Sequence, residues 1–354
     1  MNDTAQPNRK RRRVGAIVQA VGFALGIALL GYCVSLALSA DNRQQLTRLS
    51  DASAGQILAL LGLSAASVAV NGAIFWTVLF PVRRLKLADV IAVNALATFL
   101  AYLPFKLSVV ARVVVHNRRD GVPLVTMGAW ILAVACVLLT TLGPVLTVSV
   151  WRRGVDAWWW TAGLTGIVVA TAFMLAAARW FAGERGMKRL HAIADWLPTG
   201  VFGRAARSER FEQAHAGAAM LAHPWSVTFA SVLRLADAGG LAVRFAIAGA
   251  ILGVDLPWTD AILLGATYFV LGVVSPFGML GAREGGTLGL AALVGIAAAQ
   301  QGADGSSPLP VLILFVTGIE SVVHIAGGGF AVAWLRADRL LRGRAAERAE
   351  RGPV

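Results

Sequence analysis

Long apolar stretches separated by short polar segments dominate the chain. Six of them reach the roughly 20 residues that an α-helix needs to cross a bilayer. No part of the chain shows the residue-by-residue alternation that is typical of membrane barrel strands. The pattern therefore predicts an all-α polytopic membrane protein, with full spans at 14–40, 55–80, 122–150, 157–181, 224–253 and 308–335.

Two further apolar regions, 88–117 and 258–300, are interrupted near their middle. The first is broken at 104–106 by Pro-Phe-Lys, and the second at 276–286 by a proline, several glycines and an Arg-Glu pair. Each region can form two crossings, one long kinked helix, or a re-entrant hairpin that enters and leaves on one side. Broken backbone at membrane depth is tolerated only where protein or a water-filled cavity covers it.

The distribution of Lys and Arg selects among these alternatives, because cytoplasmic loops carry an excess of both residues. If both interrupted regions are hairpins, every large basic cluster falls on the side of the N-terminus, whereas the loops at 254–257 and 301–307 contain neither Lys nor Arg. We therefore predict six full spans plus two re-entrant hairpins, with both termini cytoplasmic. The basic clusters lie at 9–13, 83–86, 118–119, 185–210 and 336–351.

The two halves of the membrane domain at 14–336 have the same order of elements. Residues 55–150 and 224–335 each contain a span, a hairpin and a span, with opposite orientation. Each break has Pro-Phe followed by an arginine, which is Arg112 in the first break and Arg283 in the second. We predict an inverted-topology repeat of the kind that transporters use.

Polar segments flank the membrane domain and separate its halves. Residues 1–13 and 337–354 are basic and are predicted to be cytoplasmic tails. The segment 184–222 begins with apolar residues at helical spacing, opposite basic ones. It is predicted to lie as an amphipathic helix on the inner leaflet, over about 184–198.

Composition supports this assignment. Hydrophobic residues make up 57% of the chain and charged residues 14%, whereas soluble domains carry about 25% charged residues. The net charge of +13 is concentrated in the predicted cytoplasmic segments, so we do not expect nucleic-acid binding. Cys33 and Cys136 both lie inside apolar regions, so neither a disulfide nor a metal site is expected.

The two breaks contain the strongest candidates for a binding site. A helix that starts near the midplane offers unpaired N–H groups and a positive dipole end to an anion, and a guanidinium group suits a pair of phosphate oxygens. Alternatively, Arg283 pairs with Glu284 or Glu320, and the glycines only allow tight packing. The candidate substrate-binding residues are Lys106, Arg112, Pro276, Gly278, Gly281, Arg283, Glu284 and Gly285.

Four further charged or titratable residues are candidates for a proton or charge relay. Arg234 and Asp237 share one helix face, and they can form an internal ion pair or part of a polar pathway. Glu320 and His324 are at positions i and i+4 of the last span, where they can relay a proton or balance the charge of Arg283. Two such ligands are too few for zinc, and no nucleotide-binding or nucleophile motif occurs, so we expect no cofactor, metal or enzymatic activity.

The second break also resembles a known family. Residues 276–285, Pro-Phe-Gly-Met-Leu-Gly-Ala-Arg-Glu-Gly, resemble the P-x-G-x-x-G-x-R-E-G signature of the lysylphosphatidylglycerol synthase/flippase transmembrane family. Asn94, Pro104 and Arg112 resemble that family's first re-entrant segment. The chain departs from the family in Phe-Lys-Leu-Ser after the first proline, and in Glu320 where a basic residue is expected. Both departures bear on which headgroup is bound.

The resemblance implies a flippase-like protein of the bacterial inner membrane that moves or handles lipids or lipid-linked glycans. The soluble aminoacyl-transferase domain of some relatives has no room here, so lysyl transfer is not expected. Together with the residues, this predicts a membrane lipid with an anionic headgroup between the hairpin tips and its tails in the bilayer.

Two other functions are compatible with parts of the sequence. One is a non-transporting membrane partner that docks an envelope- or lipid-synthesis enzyme through the helix at 184–198 and the basic tail. The other is an intramembrane transferase that uses Glu284, Glu320 and His324. The transferase is the least favoured, because the sequence offers no nucleophile beside a base.

Overall fold

A computed structural model describes the chain at residues 9–103, 106–196, 215, 218–275, 278–300 and 307–335. Every regular element in these ranges is helical. Besides single 3₁₀ turns at Ala40–Asn42 and Leu49–Asp51, the helices are α1 (Arg9–Ala37), α2 (Arg43–Arg48), α3 (Ala54–Leu79), α4 (Leu87–Leu100), α5 (Leu107–Asp120), α6 (Leu124–Arg152), α7 (Ala157–Phe181), α8 (Gly183–Trp196), α9 (Ala218–Ala222), α10 (Pro224–Leu252), α11 (Trp258–Val274), α12 (Ala282–Leu293), α13 (Ile296–Ala299) and α14 (Leu309–Leu335).

Within the described ranges, six helices are long and apolar enough to cross a membrane. They are α1 over Ile17–Ala37, and α3, α6, α7, α10 and α14. These helices coincide with the six apolar stretches that the sequence marked as spans. The prediction of an all-helical, multi-pass membrane protein is therefore confirmed.

Both interrupted apolar regions form pairs of short helices. Helices α4 and α5 have 14 residues each, and α11 and α12 have 17 and 12. At a rise of about 1.5 Å per residue, none of the four matches the roughly 30 Å thickness of the hydrocarbon core. The two helices of each pair pack against each other. The Pro-Phe dipeptides at 104–105 and 276–277, and with them the candidate Pro276, lie outside the described residues.

The two ends of each helix pair lie close together. Arg119 near the end of α5 forms an ion pair with Asp89 near the start of α4, at 2.9 Å. In the second pair, the side-chain amide of Gln300, which follows α13, donates a hydrogen bond to the carbonyl of Asp255, just before α11, at 3.0 Å. Each pair therefore returns to the end of the molecule from which it started.

Helices α3 and α10 cross at the centre of the protein in antiparallel directions. Arg244 donates a hydrogen bond to the hydroxyl of Ser64 at 3.0 Å, and Arg234 donates one to Asn71 at 2.9 Å. Residue numbers therefore increase along α3 in the direction in which they decrease along α10, so the two helices are antiparallel. Because α4 follows α3 and α11 follows α10, the two helix pairs start from opposite ends of the molecule.

The breaks of the two helix pairs contact each other. The backbone amide of Met279 donates a hydrogen bond to the carbonyl of Ala101 at 3.0 Å. Lys106 begins α5 in the left-handed conformation, with φ +50°. Helix α1 covers the second break so closely that a Cβ atom at Gly281 would overlap the backbone carbonyl of Gly26.

Two apolar clusters enclose the polar centre along α10. One includes Val227 near the start of this helix, and the other includes Phe245 and Leu252 near its end. Arg234 and Asp237 lie between the two clusters along α10. The polar groups are therefore confined to a middle layer of the protein.

The segments outside the spans are only partly described. A helix, α8, occupies most of the predicted amphipathic stretch at 184–198. The rest of the segment 184–222, apart from residue 215 and α9, lies outside the described residues, as do residues 1–8 and the tail from 336 onward. The predicted boundaries of the basic tails stay predictions.

Candidate functional site

Glu320 lies at the centre of a buried network that joins α10, α11, α12 and α14. One carboxylate oxygen, Oε1, accepts a hydrogen bond from Arg244 at 3.0 Å. The other, Oε2, accepts from Arg283 at 2.6 Å and from the hydroxyl of Tyr268 at 3.0 Å. All four side chains are buried. Since an unpaired charge in apolar surroundings is costly, these groups stabilise one another.

Glu284 is the second carboxylate of this network. Its Oε1 accepts hydrogen bonds from Arg283 Nε and from the hydroxyl of Thr317, both at 3.0 Å. Its Oε2 accepts from the backbone amide of Gly281 at 2.6 Å. A helix N-terminus presents free N–H groups and a positive dipole end. The side chain of Glu284 therefore occupies the place that an external anion would take at the start of α12.

The formal charges of this network cancel. Arg244 and Arg283 contribute two positive charges, and Glu284 and Glu320 contribute two negative ones. Arg283 pairs with both carboxylates that the sequence offered as partners, and its guanidinium also lies 4.1 Å from the centre of the Tyr268 ring. Its role in binding a substrate stays a prediction.

The glycines of the second break lie against protein. Gly281 and Gly285 contact α1, and Gly278 lies beside the backbone carbonyls that follow α4. These contacts agree with the packing interpretation of the glycines. A contact between these glycines and a substrate stays a prediction.

Arg234 and Asp237 form a buried ion pair within α10, at 2.9 Å. Asp237 also accepts hydrogen bonds from α3, from the hydroxyl of Ser67 at 2.6 Å and from the amide of Asn71 at 2.9 Å. The internal ion pair that the sequence allowed is thus present, and it holds α10 against α3. A polar pathway through the same residues is untested.

His324 connects the last span to the first break. Its Nδ1 lies 2.9 Å from the hydroxyl of Tyr102, which also accepts a hydrogen bond from Ser321 at 3.1 Å. Tyr102 lies in the turn after α4, two residues before the proline of the first break. The relay predicted for Glu320 and His324 stays a prediction, but His324 does lie next to the first break.

A cavity of about 440 Å³ lies where the two breaks meet. Five of the candidate residues do not line it, namely Gly278, Gly281, Glu284, Gly285 and Asp237. The structure therefore separates a cavity-lining group from a supporting group. The candidates that line the cavity are Lys106, Arg112, Arg234, Arg283, Glu320 and His324.

One wall of the cavity is apolar and reaches the surface of the protein. Leu139 of α6, with Val273 and Val274 of α11, line this wall, and their side chains are 62%, 48% and 59% exposed. Exposed apolar positions on membrane helices face lipid. The cavity therefore opens sideways between α6 and α11.

Lys106 and Arg112 carry the positive charges in the cavity that have no carboxylate partner. The ion pairs within the described residues include neither of them. Arg112 donates a hydrogen bond to the amide oxygen of Asn94 and lies 3.9 Å from the ring centre of Phe75, and both partners are neutral. The side chain of Lys106, the N-cap residue of α5, makes no capping hydrogen bond. The other lining arginines each have a carboxylate partner, so these two side chains add two uncompensated positive charges.

Two tyrosines of the site were not singled out from the sequence. Tyr102 and Tyr268 line the junction of the breaks and contact Glu320, His324 or their neighbours. The sequence contained a hint of their role, because the chain has only three tyrosines. Tyr102 precedes the proline of the first break by two residues, and Tyr268 precedes that of the second by eight. Phe75 gave no such signal, since it is one of fifteen phenylalanines in a chain made mostly of apolar spans.

The fold and the site define a helical multi-pass membrane protein with a charged cavity between two broken helix pairs. A family model described as "Lysylphosphatidylglycerol synthase TM region" matches residues 19–303. The match covers most of the chain, so the protein belongs to this family, and the predicted resemblance is confirmed. The family links the protein to lipid handling in a membrane. Neither the curated proteins nor the solved structures gave a match to this chain.

Proposed function

We propose that the protein binds an anionic lipid or lipid-linked headgroup in the cavity between the two breaks and moves it between leaflets. The observation that carries this proposal is the pair of uncompensated cations, Lys106 and Arg112, in a cavity that opens to lipid. A phosphate group supplies the missing negative partner through charge-assisted hydrogen bonds. The sideways opening lets the acyl tails stay in the hydrocarbon while the headgroup enters. We assign the protein no catalytic step.

In this proposal the two helix pairs are re-entrant hairpins of an inverted repeat. Three observations described above support it. The two ends of each pair lie close together, the pairs start from opposite ends of the molecule, and their breaks contact each other. Such an arrangement places a site near the midplane, where small movements of either hairpin expose it to one side or the other.

The first break is the primary anion site, and the second break supports it. Lys106, Arg112 and the uncapped start of α5 all face the cavity with no carboxylate partner. In the second break, the carboxylate of Glu284 already occupies the anion position at the N-terminus of α12. Glu284 and Glu320 together neutralise the charge of Arg283. Lys106 also has positive φ, a conformation that costs a non-glycine residue of order 1–3 kcal/mol and is concentrated at functional sites.

The headgroup site is tested by removing its two free cations. Hydrogen bonds to charged groups contribute about 1.5–3 kcal/mol each, and 1.4 kcal/mol is a tenfold change in affinity. We expect Lys106→Met and Arg112→Met each to weaken binding of phosphatidylglycerol by about ten- to a hundredfold. Binding is measured with the purified protein in nanodiscs, and flipping with a fluorescent phosphatidylglycerol in proteoliposomes.

Exposed cations provide the matched control. Arg84→Met and Lys188→Met remove a positive charge from the surface and should leave binding and flipping unchanged. If the Lys106 and Arg112 variants keep the wild-type melting temperature, affinity and flipping rate, the proposed site is wrong. Docking of a synthesis enzyme at the cytoplasmic face, through α8, then becomes the better explanation.

The hairpin topology is tested by cysteine labelling in whole cells, with the two native cysteines replaced. We place the protein in the bacterial inner membrane with cytoplasmic termini. Cysteines at Lys86 and Gly121 should then be protected from a membrane-impermeant reagent until the inner leaflet is made accessible. Cysteines at Asp255 and Gln300 should react from outside, as should a reference cysteine at Gly154. Labelling of positions 86 and 121 from opposite sides would show that the first helix pair crosses the membrane.

A further inference from the structure

A second hollow lies on the surface beside the opening of the cavity. It is an open groove of about 460 Å³ between α6 and α11, with a contribution from α12. The groove has no charged residue in its lining. It is lined by Leu146, Thr147, Val150, Thr267, Val270, Leu271 and Leu290.

The groove lies farther along the seam between α6 and α11 that also lines the cavity. On α6, Leu139 lines the cavity, and Leu146 lines the groove two helical turns later on the same face. On α11, Val274 lines the cavity, and Val270 lines the groove one turn earlier. Because each hollow is lined by both helices, the step along α6 and the step along α11 lead the same way along this seam. A flexible chain that leaves the cavity through its apolar opening and follows this seam therefore reaches the groove.

We propose that this groove binds one acyl chain of the same lipid whose headgroup occupies the cavity. The inference rests on the proposed function and adds the chain to the ligand. Each site suits one part of the lipid. The cavity binds the headgroup through its uncompensated cations, and the groove binds the acyl chain through its aliphatic side chains.

The two hydroxyl groups in the groove are consistent with this ligand. The hydroxyl of Thr147 donates a hydrogen bond to the carbonyl of Gly143 at 2.9 Å, so it needs no other partner. The hydroxyl of the buried Thr267 has no partner within the described residues. Neither hydroxyl brings a charge to the groove, so its lining suits an aliphatic chain.

Photo-crosslinking of the full chain in nanodiscs tests this inference. The probe is phosphatidylglycerol with a diazirine in one acyl chain, and the reference is phosphatidylcholine with the same labelled chain. The labelled residues are mapped by mass spectrometry. We expect phosphatidylglycerol to label 146–150 and 267–271 preferentially, whereas phosphatidylcholine labels all exposed spans alike. Equal labelling patterns for the two lipids would overturn the inference.

The Lys106→Met/Arg112→Met double variant separates this inference from the proposed function. If the headgroup anchors the chain, the double variant should reduce the groove labelling to the level of phosphatidylcholine. If labelling of the groove persists at full strength, the chain binds independently of the cavity, and the inference fails. If phosphatidylglycerol binding depends on the two cations but the groove is not labelled, the headgroup site stands and only the chain site is wrong.

Filling the groove provides a second measurement. Val270→Trp should weaken binding of long-chain phosphatidylglycerol by about fivefold or more. The effect is modest because a chain that leaves bilayer hydrocarbon gains only packing contacts. Binding of glycerol phosphate, which has no acyl chain, should be unchanged. The control is Val168→Trp, on the exposed surface of α7, which should affect neither ligand. Unchanged long-chain binding in a folded Val270→Trp protein would contradict the inference.

Discussion

Glu320→Gln is expected to lower the free energy of unfolding by about 3–5 kcal/mol, the usual cost of removing one partner from a buried ion pair. Glu320 is 6% exposed, and its two oxygens accept hydrogen bonds from Arg244 and Arg283. The neutral amide leaves these two guanidinium groups with only Glu284 as a negative partner. The change is measured as the shift of the unfolding midpoint of the purified protein. Glu184→Gln, on the exposed part of α8, serves as the control and should shift it little.

A second substitution tests whether charge balance is the cause. The double variant Arg244→Met/Glu320→Gln removes one positive and one negative charge, so Arg283 and Glu284 remain as a balanced pair. It should recover a large part of the stability that Glu320→Gln loses, because no buried charge is then left without an opposite partner. A double-mutant cycle gives the coupling energy. If the double variant loses the sum of both single effects, packing rather than charge explains the role of Glu320.

Gly281→Ala is expected to destabilise the protein by about 2–5 kcal/mol, from the combined costs of an unfavourable positive φ and of overpacking. Gly281 has φ +78° and ψ −46°, and its Cβ position coincides with the backbone carbonyl of Gly26 in α1. A backbone carbonyl cannot rotate away as a flexible side chain can, so α1 must move off the second break. The loss is measured by thermal unfolding and by the amount of protein that accumulates in the membrane.

Gly289→Ala is the matched control for this substitution. Gly289 lies in the same helix, α12, and a Cβ atom there meets nothing within 4 Å. Alanine in a helix interior is more favourable than glycine by roughly 0.5–1 kcal/mol, so this variant should be as stable as the wild type or more stable. Equal behaviour of the two variants would show that α1 does not pack on the break as described.

The spans were predictable because crossing a bilayer requires a long run of apolar residues along the chain. A helix such as α6 or α14 must carry about 20 apolar residues in sequence to cross it, and this requirement can be counted without knowing any neighbour. The two interruptions were also predictable along the chain, since each places a proline next to a charged residue or several glycines, whereas the isolated Pro144 lies inside the continuous α6. The path of the chain after each interruption was not predictable from local sequence, because a hairpin and a double crossing share the same local sequence.

The site was predictable only as a set of residues. Six of the residues that the sequence marked line one cavity, namely Lys106, Arg112, Arg234, Arg283, Glu320 and His324. Their pairing was not predictable, because the partners come from different helices. Glu320 lies 37 residues from Arg283 and 76 from Arg244, and no periodicity relates positions so far apart.

By itself, the sequence determined the membrane class, the family, the six spans and the places where two apolar regions break. Each of these depends on composition and order along the chain. Only the tertiary structure decided which cations have a carboxylate beside them. Arg283, in the family's signature, is balanced by Glu284 and Glu320, whereas Lys106 and Arg112, in the less regular first break, are not. The physical reason is that compensation of a buried charge depends on distances of a few ångströms in space, and these arise only when the antiparallel α3 and α10 bring the two breaks together.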